Sequence, residues 1–210
     1  MRKLFAVSTN YLEKMNELYL ATERQFLEFN EIVPFATNNW NVNSPRLYFI
    51  LLTTCGQIES VMERTCKILR MFNTNDDFPA LHKKLNSNGV LELQKVALIK
   101  TQMEISPFFK NYKDHFWWIS HNKAKHDLPS GLKQGTIKNV IYALASLYSL
   151  HNILSHVPTE KKKVILESKY WQTHKPVQVS ITNQPRYYDE RKSKLFISYS
   201  NFHNWWMRGL

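Results

Sequence analysis

The densest run of chemistry-bearing residues in the chain is HNKAKHD, His121 to Asp127, which follows directly on the paired Trp117 and Trp118. Pro129 disfavours helical backbone at Leu128, so His126 falls in or near the last turn of a helix predicted over about 114–126. In such a helix Asn122 and His126 stand one turn apart on one face. His121, five positions from His126, projects roughly 140° away. A helix C-terminus favours a protonated imidazole; Lys123 and Lys125 oppose that charge and Asp127 supports it. A histidine poised near neutrality is what general acid–base chemistry requires. The plain alternative is a charged helix end in which His126 caps backbone carbonyls.

Other chemistries find less support. His115, His121 and His126 do not follow helix spacings that converge on one ion, and neither Cys55 nor Cys66 sits in a paired ligand motif, so no metal site is expected. The five glycines form no phosphate loop, and no cofactor is implied. Cysteine–histidine nucleophilic catalysis rests on residue presence alone. Trp117, Trp118, Trp205 and Trp206 invite a base-stacking role. Their large apolar area makes core packing the stronger expectation, above all for the two inside the helix.

The elements that must position HNKAKHD read as helical. Ser8, Thr9 and Asn10 offer caps, and Leu12, Met15, Leu18, Tyr19, Thr22, Phe26 and Phe29 recur at the spacing of one buried helical face, ended by Pro34. Ser44-Pro45 is a strong restart for a helix from Leu47 to Phe72. Asp77 and Pro79 open a short helix through Leu85, Asn88-Gly89 turns the chain, and residues 90–99 are ambiguous between strand and helix. LPSGLKQG, 128–135, reads as a loop that carries Lys133. Thr136 then caps an uncharged helix to about His156. Along it Asn139, Ser146, Ser149, Asn152 and His156 form a polar stripe opposite Ile141, Leu144, Leu147, Ile153 and Leu154. Such a stripe is most simply a solvated or interhelical face, with a cleft or subunit contact as the alternative. Beyond Pro158, VILESKYW, VQVSIT and KLFISYS have strand composition.

With 210 residues the chain can bury one core, and 43% hydrophobic residues argue for a folded protein. The expected organisation is a mainly α bundle over 1–157 with a basic, partly β or extended C-terminal extension over 158–210, too short to hold a core of its own. Met1 to Ala6 is too short for a secretory signal, and the polar residues of 139–157 speak against a membrane span. Cys55 and Cys66, read on one helix, lie roughly 16 Å apart, beyond disulfide reach. A reduced, cytoplasmic protein is the expectation. The charge of +11 is uneven. Residues 1–109 hold 12 Lys+Arg against 11 Asp+Glu, whereas 110–210 hold 16 against 6. That asymmetry suits a polyanion partner, because phosphate contacts gain from counterion release.

The order CGQIE in a long helix, then SPFF, then WWISHNKAKHD, then GTIKNVIYALASLYSL resembles the HEPN superfamily over residues 44–156. The resemblance implies an all-α bundle of four to five helices, of a kind frequent in bacterial defence and toxin–antitoxin systems. Members that cleave RNA use an arginine, usually followed by a polar residue, and a histidine four to six positions beyond the arginine. Two protomers bring these motifs together, and the ribose 2′-hydroxyl attacks the adjacent phosphate without metal. By position Asn122 matches the polar residue, His126 the histidine, and His121 stands where the arginine belongs. Arginine offers a fixed charged fork that histidine lacks. Lys123, Lys125 or Arg64 would have to supply the charge, and Lys133 is a further candidate RNA contact. Glu59 resembles an acidic position that often faces the motif. The expected partners are RNA and a second copy of the chain, with a protein from the same system as a further candidate. The rival expectation is a non-catalytic interaction or regulatory protein in which the motif is structural.

Overall fold

The structure, a computed structural model, describes residues 9–34, 36–69, 71–87, 89, 91–98, 103–155 and 196–198. The fold is mainly α. Helix α1 spans Thr9–Ile32 and α2 Pro45–Ile68; a short helix α3, Phe78–Leu85, follows. After two strands come α4, Phe116–His126, the one-turn α5, Leu128–Gly131, and α6, Ile137–Ser155.

The helix starts are those written into the chain. Ser44 Oγ accepts from Leu47 N–H at 3.1 Å with Pro45 in the first turn, and Asp77 Oδ1 accepts from Ala80 N–H at 3.0 Å ahead of Pro79. Thr136 Oγ1 accepts from Asn139 N–H at 3.2 Å at the head of α6. Helix α2 stops at Ile68, short of the expected Phe72. The ambiguous segment resolves into a turn at 91–93 and strand β1, Val96–Leu98. β1 lies between β2, Glu104–Ile105, and β3, Phe196–Ser198, antiparallel to both, with Val96 opposite Ile105 and Ser198. The expected strand of KLFISYS is thus present at its centre, while VILESKYW and VQVSIT lie outside the described residues.

The core forms where α1, α2, α4 and α6 meet, with α6 packed most extensively on α2. Helix α6 is enclosed on nearly every side: Ile141, Leu144, Leu147 and Leu154 are buried, and so are Asn139, Ser146, Ser149 and Asn152. The polar stripe is therefore interhelical. Ser146 Oγ donates to Pro107 O at 3.1 Å and Ser149 Oγ to Ala145 O at 2.9 Å, which satisfies hydroxyls that burial would otherwise penalise. On α1 the buried face is more polar than the apolar spacing implied. Tyr19, Thr22, Phe26 and Phe29 lie on it as expected, but Leu18 is 44% exposed and Asn16, Glu23 and Asn30 are buried instead. Gln57 on α2 donates to Thr22 Oγ1 on that face at 2.9 Å. Among the described residues no helix is long and apolar enough to cross a membrane.

Candidate nucleic-acid site at the end of helix α4

Trp117, Trp118, Ser120, His121 and Ala124 of helix α4 are buried, whereas Ile119, Asn122, Lys123, Lys125 and His126 face solvent. At 100° per residue Ile119, Asn122, Lys123 and His126, together with half-buried Phe116, occupy a stripe about 120° wide, and Lys125 lies outside it in the last turn. Asn122 and His126 therefore share a face one turn apart, as their spacing predicts. Lys123, Lys125 and His126 all lie in the last turn, where the helix dipole favours positive charge.

The loop expected after Pro129 is helical instead. Pro129 sits in the first turn of α5, Gly131 N–H donates to Asp127 O at 2.6 Å, and Ser130 Oγ donates to Asp127 Oδ2 at 2.5 Å. The absence of a side chain at Gly131 permits the approach: a Cβ there would stand 2.8 Å from the Cα and O of Ala124. The following 3₁₀ turn, Leu132–Gln134, also packs on α4 and carries exposed Lys133. Tyr48 of α2 donates its hydroxyl to Ala124 O at 3.2 Å, which satisfies one of the carbonyls left open at a helix end.

His121 departs from the role its position suggests. Its ring is 5% exposed and lies 4.8 Å from the Trp118 ring, which itself stacks on Phe78 at 3.9 Å. Burial, then the charges of Lys125 and His126, hold its pKa down to about 4 against a hydrogen bond with Asn122. At neutral pH His121 is therefore uncharged and screened from solvent, and in this conformation it offers no charge to a phosphate. Arg64, another candidate for the missing charge, lies 5.2 Å over the Tyr11 ring between α1 and α2. Glu59 on α2 is half-buried, and burial raises its carboxyl pKa; Lys125 lowers it, while Asp77 and Glu63 add to the rise. The acidic position thus feels the charge of Lys125, although the two form no ion pair among the described residues.

The other histidines near α4 are structural. His115 Nδ1–H donates to the carbonyls of Tyr112 at 3.0 Å and Asn111 at 3.1 Å, and Phe109 N–H donates to its Nε2 at 3.1 Å. Burial holds it neutral, with a pKa near 4. The expected core role of the helix tryptophans is met: Trp117 is fully buried and its indole N–H donates to Pro107 O at 3.3 Å. Trp205, Trp206 and His156 lie outside the described residues. Cys55 and Cys66 are free and buried, and burial pushes the Cys66 thiol up to about 12, which removes it from nucleophilic chemistry. Among the described residues no three His, Cys, Asp or Glu side chains are grouped to hold a metal ion.

One cluster has no counterpart in the sequence motifs. Lys138 of α6 lies 4.7 Å from the Phe116 ring centre and 5.8 Å from that of Trp40. Tyr142 meets both rings edge-on, at 4.7 and 6.0 Å. Lys138 and Tyr142 are one helical turn apart and so share a face, but nothing in the sequence links them to Trp40, nearly a hundred residues earlier. Comparison of the chain with protein-family models, with curated proteins and with solved structures finds no match.

Proposed function

We propose that the chain is an RNA-directed protein of HEPN type whose α4 end engages the RNA backbone. The observation that carries this reading is the joint exposure of Asn122 and His126, one turn apart, on a helix end that also presents Lys123 and Lys125. Lys133, on the adjoining turn, extends the cationic surface. Binding of this kind draws on counterion release and weakens steeply with salt.

Metal-independent cleavage is the further step that exposed His126 supports. One histidine takes the proton of the ribose 2′-hydroxyl, the oxygen attacks phosphorus, and the bond to the 5′-oxygen breaks to leave a cyclic phosphate. The departing oxygen needs a proton from a second group, which His126 of a second copy would supply in a homodimer. Asn122 orients the imidazole or the phosphate, and Lys125 carries phosphate charge in place of an arginine. His121 acts on this reading only as packing beneath the site. A regulatory or antitoxin-like interaction protein is the second reading, and it is favoured by one observation: Lys123 and Lys125 in the last turn of α4 stabilise that helix end without any ligand.

Incubation of the full chain with mixed RNA in EDTA separates these. Cleavage that persists in EDTA and disappears in His126→Ala supports the endoribonuclease. Salt-sensitive binding without cleavage supports an RNA binder. Absence of both binding and cleavage would overturn the RNA reading and leave the interaction protein.

A further inference from the structure

We propose that Trp40, Phe116 and Tyr142, gathered around Lys138, form a stacking subsite for a base of single-stranded RNA, with Lys138 on the neighbouring phosphate. The inference rests on the RNA-directed reading and adds to it a second contact region with a different chemistry.

Three elements build the cluster. Trp40 comes from the segment between α1 and α2, Phe116 opens α4, and Lys138 and Tyr142 lie in the first two turns of α6. The segment is fixed to α6 by main-chain pairing. Lys138 N–H donates to Trp40 O at 3.1 Å, Ile137 N–H to Val42 O at 3.0 Å, and Ser44 N–H to Gly135 O at 3.2 Å. Gly135 permits this closeness, since a Cβ there would stand 2.4 Å from Tyr48 N. The rings are thus held by backbone and are preorganised, which lowers the entropic cost of binding.

All four side chains are half-buried, so each keeps a wetted surface. The described ion pairs are Arg46–Glu28, Lys67–Glu63 and Lys84–Asp76, and none involves Lys138. A cation resting on ring faces, with no carboxylate paired to it among the described residues, suits a ligand that is both planar and anionic. A nucleotide has both properties, and Phe116, Lys138 and Tyr142 belong to the half of the chain that carries 16 Lys+Arg against 6 Asp+Glu. Phe116 also begins the exposed stripe of α4 that runs through Ile119 and Lys123 to His126. The two ends of that helix are about 15 Å apart, so one strand can lie along the stripe and meet both regions.

The test uses the full chain and a short oligouridylate with 2′-O-methyl riboses, which cannot form a cyclic phosphate, beside an abasic strand of equal charge. The wild-type chain is expected to bind the base-bearing strand more tightly than the abasic one. Trp40→Ala weakens the base-bearing strand by about 5- to 100-fold and leaves the abasic strand unchanged. Lys138→Gln reduces the salt dependence of binding by about one phosphate contact. Equal wild-type affinity for the two strands would overturn the stacking subsite while the RNA reading stands, and it does so without reliance on any variant's folding. Failure of the wild-type chain to bind either strand overturns both.

Discussion

His121 and His126 lie five residues apart in one helix, and the two sides of α4 give them opposite chemistry. On one side His121 packs at a tilt against Trp118, which stacks on Phe78, and the imidazole is held neutral by burial. On the other, His126 stands in solvent beside Asn122 and Lys123. The amino-acid type is the same; desolvation separates a packing ring from a candidate acid–base group. His115 extends the buried side: both of its ring nitrogens are engaged by backbone, which leaves it no proton to exchange with a substrate. A histidine's neighbours along the chain therefore say less about its role than which side of the helix it occupies.

The sharpest way to break this contrast is to remove the buried platform. Trp118→Ala should cost about 3–5 kcal/mol of stability, since it deletes a 6%-exposed indole packed on Phe78, Trp117 and His121. Urea denaturation measures this, and a loss below about 1 kcal/mol would mean that the cluster is not core.

Acid titration probes the buried histidines, those of the α4 platform and His151 of α6, more gently. His115, His121 and His151 have pKa values near 4 in the folded chain, against an ordinary 6.5 that the unfolded chain recovers. Between those values the unfolded state binds more protons, so stability is fully present above pH 6.5 and is lost as the pH falls towards 4. Each kcal/mol lost lowers the melting midpoint by about 2–4 °C in a chain of this size. A midpoint that stays flat from pH 7 to pH 4 contradicts the buried, neutral assignment.

The smallest expected effect falls on the exposed side. His126→Ala should change stability by no more than about 0.5 kcal/mol, because the residue is exposed. The same substitution should abolish any EDTA-resistant RNA cleavage. A loss of several kcal/mol would instead make His126 a structural residue and sharpen the case for the interaction protein.

Much of this arrangement was legible in advance because it is local. Ser44-Pro45, Asp77 with Pro79, and Thr136 each place a side-chain oxygen where the next helix has open N–H groups, and all three helices start there. The i,i+4 relation of Asn122 and His126 follows from helix geometry alone. Leu18 shows where periodicity misleads. Its spacing fits the buried face, yet Asn16, Thr22 and Glu23 are buried in its place, with Thr22 accepting from Gln57 of α2 and Glu23 from Tyr19. The segment 128–135 misled differently: its proline and glycines read as a loop, but contact with Ala124 turns the same residues into a helical turn.

By itself, the sequence determined the longer helices, the uneven charge and the face that Asn122 and His126 share, because caps, prolines and residue spacing act within a few residues of themselves. Tertiary structure alone decided that His121 is buried and neutral, that Glu59 meets the charge of Lys125, and that Trp40 joins Phe116, Lys138 and Tyr142. Those outcomes depend on which surfaces lose water when distant segments pack, and no spacing along the chain encodes that.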